Sequence, residues 1–333
     1  MARGRAFGPL RERLAQADKR GQRHVERLEY DAYGGPDVVR VRPFALREPR
    51  ADELVVRVAA ASINPMDWKI RSGTMKMMTG SSFPRAMGTD FAGTVEAVGA
   101  KVSEFKPGDA VVGTVPMKES GAFAPRLVTK HNLVVEKPDS LSFAEAASLP
   151  IAGVTAWHAL VKSAGLRRGQ KLLINGAMGA VGRAAIEIAR EIGADITGRV
   201  GPESASQARL LGLSRVLDYT QPLPPSLNGT FDVVFDANGS LSVSDGDQLI
   251  KRGGVIVDIV PTQSKFLKAL VSRSHKLVFA DMKSDNLRRV VDLAAAGKLA
   301  IPIAQTVSLP DAPALLASLE QGKRLSGKAI IAF

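Results

Sequence analysis

The chain has 333 residues, 45% apolar and 23% charged, the balance of a globular protein long enough to build two domains, each with its own core. It contains no cysteine, which excludes disulfides, iron–sulfur clusters and thiolate zinc sites, and no apolar run approaches the roughly 20 residues needed to span a bilayer. The formal net charge of +12 points to an anionic partner, whether nucleic acid, an acidic membrane surface or an anionic cofactor, and a reducing cytoplasm is the default setting for such a chain.

Charge is concentrated at the start, where residues 1–27 carry eight Arg or Lys against Glu12, Asp18 and Glu26. Residues 1–24 read as a basic N-terminal extension, either an appendage helix around Leu10 to Ala17 or a translated leader. The stretch lacks the apolar core of a secretory signal, and its acids and absence of serine argue against a mitochondrial presequence. Phe7 is its sole aromatic residue, so stacking on bases is poorly supported and nucleic acid is a disfavoured partner.

Residues 25–150 read as an all-β, barrel-like domain of short strands and Gly/Pro turns. The strands are expected at Val38 to Val41, Glu53 to Ala60, Phe91 to Val98, Asp109 to Thr114 and Phe123 to Val128. From Phe143 the texture becomes Ala-rich, predicting helices over 143–149 and 152–164. Residues 151–282 then alternate strand and helix, with strands at 171–175, 195–200, 215–218, 231–236, 254–260 and 276–280, the pattern of a doubly wound parallel sheet. The loop 220–230 joins its two halves. Residues 283–333, with helices at 284–297 and 311–321 and strands at 301–307 and 328–332, return to the β domain.

The most informative segment is Lys171-Leu-Leu-Ile-Asn-Gly-Ala-Met-Gly-Ala-Val-Gly182, where an apolar strand runs through glycines into a helix. Gly176, Gly179 and Gly182 allow a tight turn and close approach to a pyrophosphate. Ala180 and Val181 open a helix whose first N–H groups and dipole favour an anion. The GxxGxxG spacing alone is weak; the strand–turn–helix context strengthens it.

Several motifs in order make the chain similar to the zinc-independent medium-chain dehydrogenase/reductases, in the quinone oxidoreductase and enone reductase branch. They are Tyr33-Gly-Gly-Pro36, Ser62-Ile-Asn-Pro-Met-Asp-Trp-Lys-Ile-Arg-Ser-Gly73, Met87-Gly-Thr-Asp-Phe-Ala-Gly-Thr-Val95, Phe105-Lys-Pro-Gly-Asp109, Gly153-Val-Thr-Ala-Trp157 and Asn175-Gly-Ala-Met-Gly-Ala-Val-Gly182. The resemblance, covering about 26–333, implies an α/β fold with a GroES-like β-barrel catalytic domain and a doubly wound Rossmann domain. It implies NADPH-dependent reduction of a quinone or an α,β-unsaturated carbonyl in a homodimer joined through the 276–280 edge. Two other roles stay open: an enoyl reductase that tailors a biosynthetic intermediate, and a non-catalytic nucleotide- or RNA-binding role of the zeta-crystallin kind.

Zinc-dependent members hold the metal with a Cys and a Gly-His-Glu motif; here Asn64 and Gly88-Thr-Asp90 stand in those regions, so no metal is expected. The resemblance places Asn64 and Thr155 beside the nicotinamide, with backbone near Val260 and Phe279 at the carboxamide. It makes Lys69 the group that polarises a substrate carbonyl, against the alternative of a solvated lysine or one paired with Asp67. Asp67 would orient Lys69 or Arg71, or cap the local structure. At the end of the second Rossmann strand no acid stands at 197–201, and Arg199 suits a 2′-phosphate. Tyr219 matches a family tyrosine near that phosphate, while Ser204 falls where the family carries a lysine. Met75, Met77 and Met78 either line an adaptable substrate wall or fill core.

Overall fold

The computed structural model describes residues 25–333, so the basic extension expected over 1–24 lies outside the described residues. The chain divides into two compact units. The first runs up to Glu136 and regains Thr306–Arg324 and Ile330–Phe333; the second holds Lys137–Gln305 and Leu325–Ala329.

In the first unit, β1 (Val25–Tyr30) pairs with β2 (Arg40–Phe44) and β4 (Arg85–Ala86) in a small antiparallel sheet. A larger seven-stranded sheet is organised on β3 (Glu53–Ser62). One edge of β3 pairs along its length with β5 (Asp90–Val98). Its other edge is shared, Glu53 to Arg57 with β7 (Arg126–Lys130) and Ala60 to Ser62 with β16 (Lys328–Ala332). β6 (Ala110–Thr114) and β8 (Val134–Glu136) continue beyond β5, and β15 (Ile303–Ser308) lies outside β16. Leu54, Val56, Val58, Phe91, Val111 and Val112 are buried, which accounts for the pairing of these β-branched and aromatic runs. Two short helices, α1 (Pro65–Arg71) and α2 (Lys76–Thr79), follow β3.

The second unit begins with α3 (Phe143–Ser148) and α4 (Pro150–Trp157) and then forms a parallel sheet. Its strands are β9 (Lys171–Asn175), β10 (Asp195–Val200), β11 (Arg215–Asp218), β12 (Phe231–Asp236), β13 (Ile250–Asp258) and β14 (His275–Leu277), in the order β11-β10-β9-β12-β13-β14. That is the doubly wound order, with the reversal of direction between β9 and β12. Leu172, Leu173, Ile174, Val233, Val234 and Phe235 are all buried, as parallel strands covered on both faces require. The helices are α5 (Ala180–Ile192), α6 (Ala205–Leu210), α7 (Val243–Leu249), α8 (Gln263–Val271) and α9 (Ser284–Ala295), with α10 (Ala312–Glu320) in the first unit. α5 buries Ala184, Ala185, Ile186, Ile188 and Ala189 and ends on Gly193, whose φ of 83° gives a left-handed cap.

Several boundaries differ from expectation. The units divide at 136/137 and 305/306 rather than at 150/151 and 282/283; α3 leads into α4, which packs on α5 and α9 of the second unit. The helix expected over 152–164 is α4 followed by a wider turn, His158–Ser163, with i→i+5 bonding. β13 starts at Ile250, not 254: Ile250 pairs with Phe231 and pairing resumes at Val255 opposite Val233, so Lys251-Arg252-Gly253-Gly254 bulges out of register within the strand. β14 covers 275–277, and Phe279 falls beyond it. In the first unit Pro36–Val38 forms a 3-10 turn, which delays β2 to Arg40. The loop 220–230 is pinned by Leu227, 2% exposed, in a cluster with Phe231, Val234, Leu241, Leu249 and Ile256.

Candidate active site

The end of β3 and the first turn of α1 hold the catalytic candidates. Asn64 is the N-cap of α1 and Pro65 its first residue, a position where the missing N–H costs nothing. Asp67 accepts a hydrogen bond from the Asn64 backbone N–H at 2.7 Å, half of a capping box. Of the roles expected for Asp67 the structure therefore places it as the cap, and Arg71, 1% exposed, pairs instead with Glu320 of α10. Lys69 is half-buried on the same helix, and no carboxylate among the described residues pairs with its ammonium. The resemblance assigns this ammonium to the substrate carbonyl, and its lack of a carboxylate partner leaves it open to an anion.

Asn64 and Asp90, the residues standing where zinc-dependent members carry ligands, meet in space. The Asn64 amide donates to Asp90 Oδ2 at 3.0 Å and to the Ser62 carbonyl at 3.3 Å, and Ser62 Oγ donates to the same carboxylate oxygen at 3.2 Å. Both side chains are buried. This donor set does not fit a zinc ion: the chain has no thiolate or Gly-His-Glu motif, and the amide N–H groups fill the space with hydrogen bonds. No cluster of three or more His, Cys, Asp or Glu among the described residues is arranged to hold a metal.

Nearby in this unit, Arg85 donates to the carbonyls of Thr79 at 2.8 Å, Gly80 at 2.7 Å and Lys118 at 3.0 Å, and Tyr33 Oη donates to Gly80. These bonds tie down the base of the Gly73-to-Pro84 loop. Met77, 98% exposed, and Met78, 51% exposed, do not fill core, whereas Met75 is half-buried.

The second constellation lies at the carboxyl ends of β9, β10 and β12. Gly176 adopts φ 80°, and Gly179, the N-cap of α5, has ordinary extended geometry. The two glycines differ from Gly182 in what surrounds them. A Cβ on Gly179 would meet only the Gly176 carbonyl oxygen, at 3.5 Å, whereas one on Gly182 would lie 2.3 Å from that oxygen and 2.6 Å from the Ala177 oxygen. Gly182 thus serves close helix–strand packing, and Gly179 leaves open space before the first N–H groups of Ala180 and Val181.

Arg199, near the end of β10, donates through Nη2 to the carbonyls of Tyr219 at 3.1 Å and Gln221 at 3.3 Å, while its buried Nε has no hydrogen-bond partner. Tyr219 is 38% exposed, and Ser204 ends the 3-10 turn before α6. Thr155 is 9% exposed on α4, Val260 packs over Gly239, and Phe279 is 58% exposed. The orphaned Nε, the open cradle over Gly179 and the helix N-terminus suit the phosphates of a dinucleotide.

Three features escaped sequence reasoning. The carboxylate of Glu203 lies against Gly201, where a Cβ would come within 2.3 Å of Oε1. Arg183, on α5, donates to the Met178 carbonyl at 3.2 Å and to Gln207 Oε1 at 2.8 Å. At the reversal between β9 and β12, Lys265 is buried with Asp236 at 2.6 Å and Asp258 at 2.5 Å, and Asn175 donates to Asp236 at 2.8 Å. Burial pushes Asp258 up to about 6, although Lys265 opposes this. The bonds from Arg183 to Gln207, from Lys265 to Asp236 and from Asn175 to Asp236 join residues far apart in sequence, and none of the three features forms a recognisable motif.

Comparison with known proteins agrees with this architecture. Residues 50–139 match the alcohol dehydrogenase GroES-like domain and residues 211–331 the zinc-binding dehydrogenase domain. A chloroplastic quinone-oxidoreductase homolog from Spinacia oleracea is 32% identical over 288 residues, covering 82% of this chain and 88% of that protein. The chloroplastic NADPH-dependent alkenal/one oxidoreductase of Arabidopsis thaliana is 33% identical over 250 residues, covering 72% and 64%. The quinone oxidoreductase structure from Coxiella burnetii superimposes with a TM-score of 0.83 at 26% identity, covering 93% of this chain and 99% of that one. The chain belongs to the medium-chain dehydrogenase/reductase family, in the quinone oxidoreductase and enone reductase branch, whose members use a nicotinamide cofactor.

Proposed function

We propose that the protein reduces quinones or α,β-unsaturated carbonyls with NADPH, by hydride transfer and without zinc. The observation that carries the cofactor choice is Arg199, a guanidinium anchored beside the glycine loop with a buried Nε that lacks a partner. Bound NADPH supplies the hydride. The chain's own groups bind and orient: the N–H groups at Ala180 and Val181 face the pyrophosphate across Gly179, and Arg199, with Ser204 and Tyr219 close by in sequence to the ends of β10 and β11, takes the 2′-phosphate. In the second unit Thr155, Val260 and Phe279 would border the nicotinamide, and in the first unit Asn64 is the residue that the resemblance assigns to it. Lys69 holds positive charge toward the substrate carbonyl oxygen, so that hydride arriving at the β-carbon leaves a stabilised enolate, which then takes a proton from solvent.

Zinc independence is supported by the Asn64–Asp90 hydrogen bond in the metal ligands' place. A homodimer is supported by β14 lying at the margin of its sheet with the exposed Phe279 just beyond. No helix among the described residues is long and apolar enough to cross a membrane. A cytoplasmic setting rests on the sequence, and the two plant relatives are named as chloroplast proteins.

The test is NADPH oxidation against a panel of quinones, small enones and extended enoyl thioesters, each with and without exhaustive chelation. Turnover of a quinone or small enone that survives chelation supports the reading. Turnover confined to enoyl thioesters, or lost with chelator and restored by zinc, overturns it.

A further inference from the structure

Arg183 sits one turn into α5 and is 4% exposed. Buried cations are ordinarily matched by a carboxylate, because an uncompensated charge in the interior is strongly disfavoured. Arg183 has no such match among the described residues: its acceptors are the Met178 carbonyl, on Nε, and the Gln207 amide oxygen, on Nη2, both neutral. Burial lowers its affinity for the proton, and no neighbouring acid opposes that shift.

The two neutral partners fix where this charge lies. Met178 belongs to the glycine loop and Gln207 to the first turn of α6, so the guanidinium bridges the elements on either side of the end of β10. Gly198 turns its α-carbon toward Ala177 and Leu213, on the α5 side of the strand; Arg199, the next residue, leaves by the opposite face. The end of β10 is therefore flanked by a cation from each face.

Charge at this end makes the second cation necessary. The carboxylate of Glu203, an exposed side chain, lies against Gly201 and brings negative charge to the same strand end as Arg199. The opening of α6, Ser204-Ala205-Ser206-Gln207, offers no cation of its own. A phosphate monoester brings about −1.5 to −2 at neutral pH and is held weakly where the local charge sums to zero.

We propose that Arg183 is a second specificity-determining residue for the cofactor, recognising the 2′-phosphate of NADPH together with Arg199, and that this phosphate is the counter-charge the buried guanidinium lacks. The inference rests on the NADPH reading above.

Equilibrium binding of fragments separates the two. Adenosine 2′,5′-bisphosphate and 5′-AMP, which differ only in the 2′-phosphate, are titrated calorimetrically into the parent protein and into Arg183→Leu, Arg183→Lys and Gln207→Ala, each checked for folding by thermal melting. The parent should favour the bisphosphate. Arg183→Leu should lose roughly 10- to 100-fold for the bisphosphate while AMP changes less than about twofold. Arg183→Lys, which keeps the charge, should retain most of the preference, and Gln207→Ala, which removes only the neutral tether, should keep it within about threefold. Arg183→Gln replaces the leucine variant if the latter does not fold. A parent that does not distinguish the fragments overturns the NADPH reading and this inference with it. A parent that does, combined with equal losses for both fragments or none in the charge-removing variant, overturns Arg183 alone and leaves it a staple between α5 and α6.

Discussion

Gly179 and Gly182 lie three residues apart in one loop, and the structure predicts opposite consequences for the same substitution. At Gly179 the backbone is ordinary for any residue, and a Cβ would find only the Gly176 oxygen, at 3.5 Å. Gly179→Val should therefore fold, losing about 1 kcal/mol for a poor helix cap, or about 2–4 °C in Tm. Its methyl groups occupy the space in front of the Ala180 and Val181 N–H groups. Loss of two charge-assisted hydrogen bonds at about 1.5–3 kcal/mol each predicts at least a 100-fold weaker NADPH, in round terms. At Gly182 the Cβ would lie 2.3 Å and 2.6 Å from two backbone oxygens, which cannot swing aside as a side chain can. Gly182→Val should cost about 3 kcal/mol or more and lower Tm by several degrees before binding is considered. Differential scanning fluorimetry with and without NADPH, followed by fluorescence titration, reads both. A Gly179→Val protein that keeps the parent's affinity would refute a phosphate site at this loop, and a Gly182→Val protein as stable as the parent would refute the packing argument.

Other outcomes follow from the same geometry. Arg199→Ala should weaken NADPH by about 1.5–3 kcal/mol and leave NADH nearly unchanged by titration; equal losses for both would remove Arg199 from the 2′-phosphate site. Lys69→Met should lower kcat and kcat/KM together by roughly 100-fold for an enone and less for a quinone, with NADPH affinity within about twofold, and unchanged enone turnover would make Lys69 a surface residue. Asp258 is raised from 3.8 to about 6, chiefly by burial. The native state thus holds this proton where the unfolded chain has released it, and the stabilisation is fully present below the unfolded value and lost as pH rises through about 6. Urea melts between about pH 4 and 7.5 should show the parent losing stability relative to Asp258→Asn across that window, and parallel profiles would contradict the assignment.

The order of strands and the glycine loop were legible because their signals are local. Leu172-Leu-Ile174 and Val233-Val-Phe235 are short apolar runs bounded by turns, and glycine spacing marks the strand-to-helix junction. Lys251-Arg252-Gly253-Gly254 carries turn residues and does bulge out of register, but the pairing of Ile250 with Phe231 ahead of it extends the strand to a point that the local pattern did not mark. The unit boundary at 136/137 was invisible because what separates the units is which core the helices cover, a property of packing rather than of composition. Asn64, Lys69 and Arg199 were named from motif position, but the capping of α1 by Asp67 and the bond from Asn64 to Asp90 needed three dimensions. Arg183, Glu203 and Lys265 carry no motif. Their meaning comes from what surrounds them.

The buried Lys265 with Asp236 and Asp258 bears on how this enzyme can be redesigned. Deleting one member of a buried ion pair costs about 3–5 kcal/mol, because it strands the charge that remains, and such losses do not add. Removing Lys265 strands two carboxylates at the ends of neighbouring strands; removing Asp236 also strands the N–H groups of Gly239 and Leu241. A library that randomises these positions singly would therefore return mostly destabilised protein and score the region as immutable. A graft of the loops after β12 and β13 succeeds only if the three residues travel as one cassette, with the ends of both strands and the first turn of α8 inside the exchanged block.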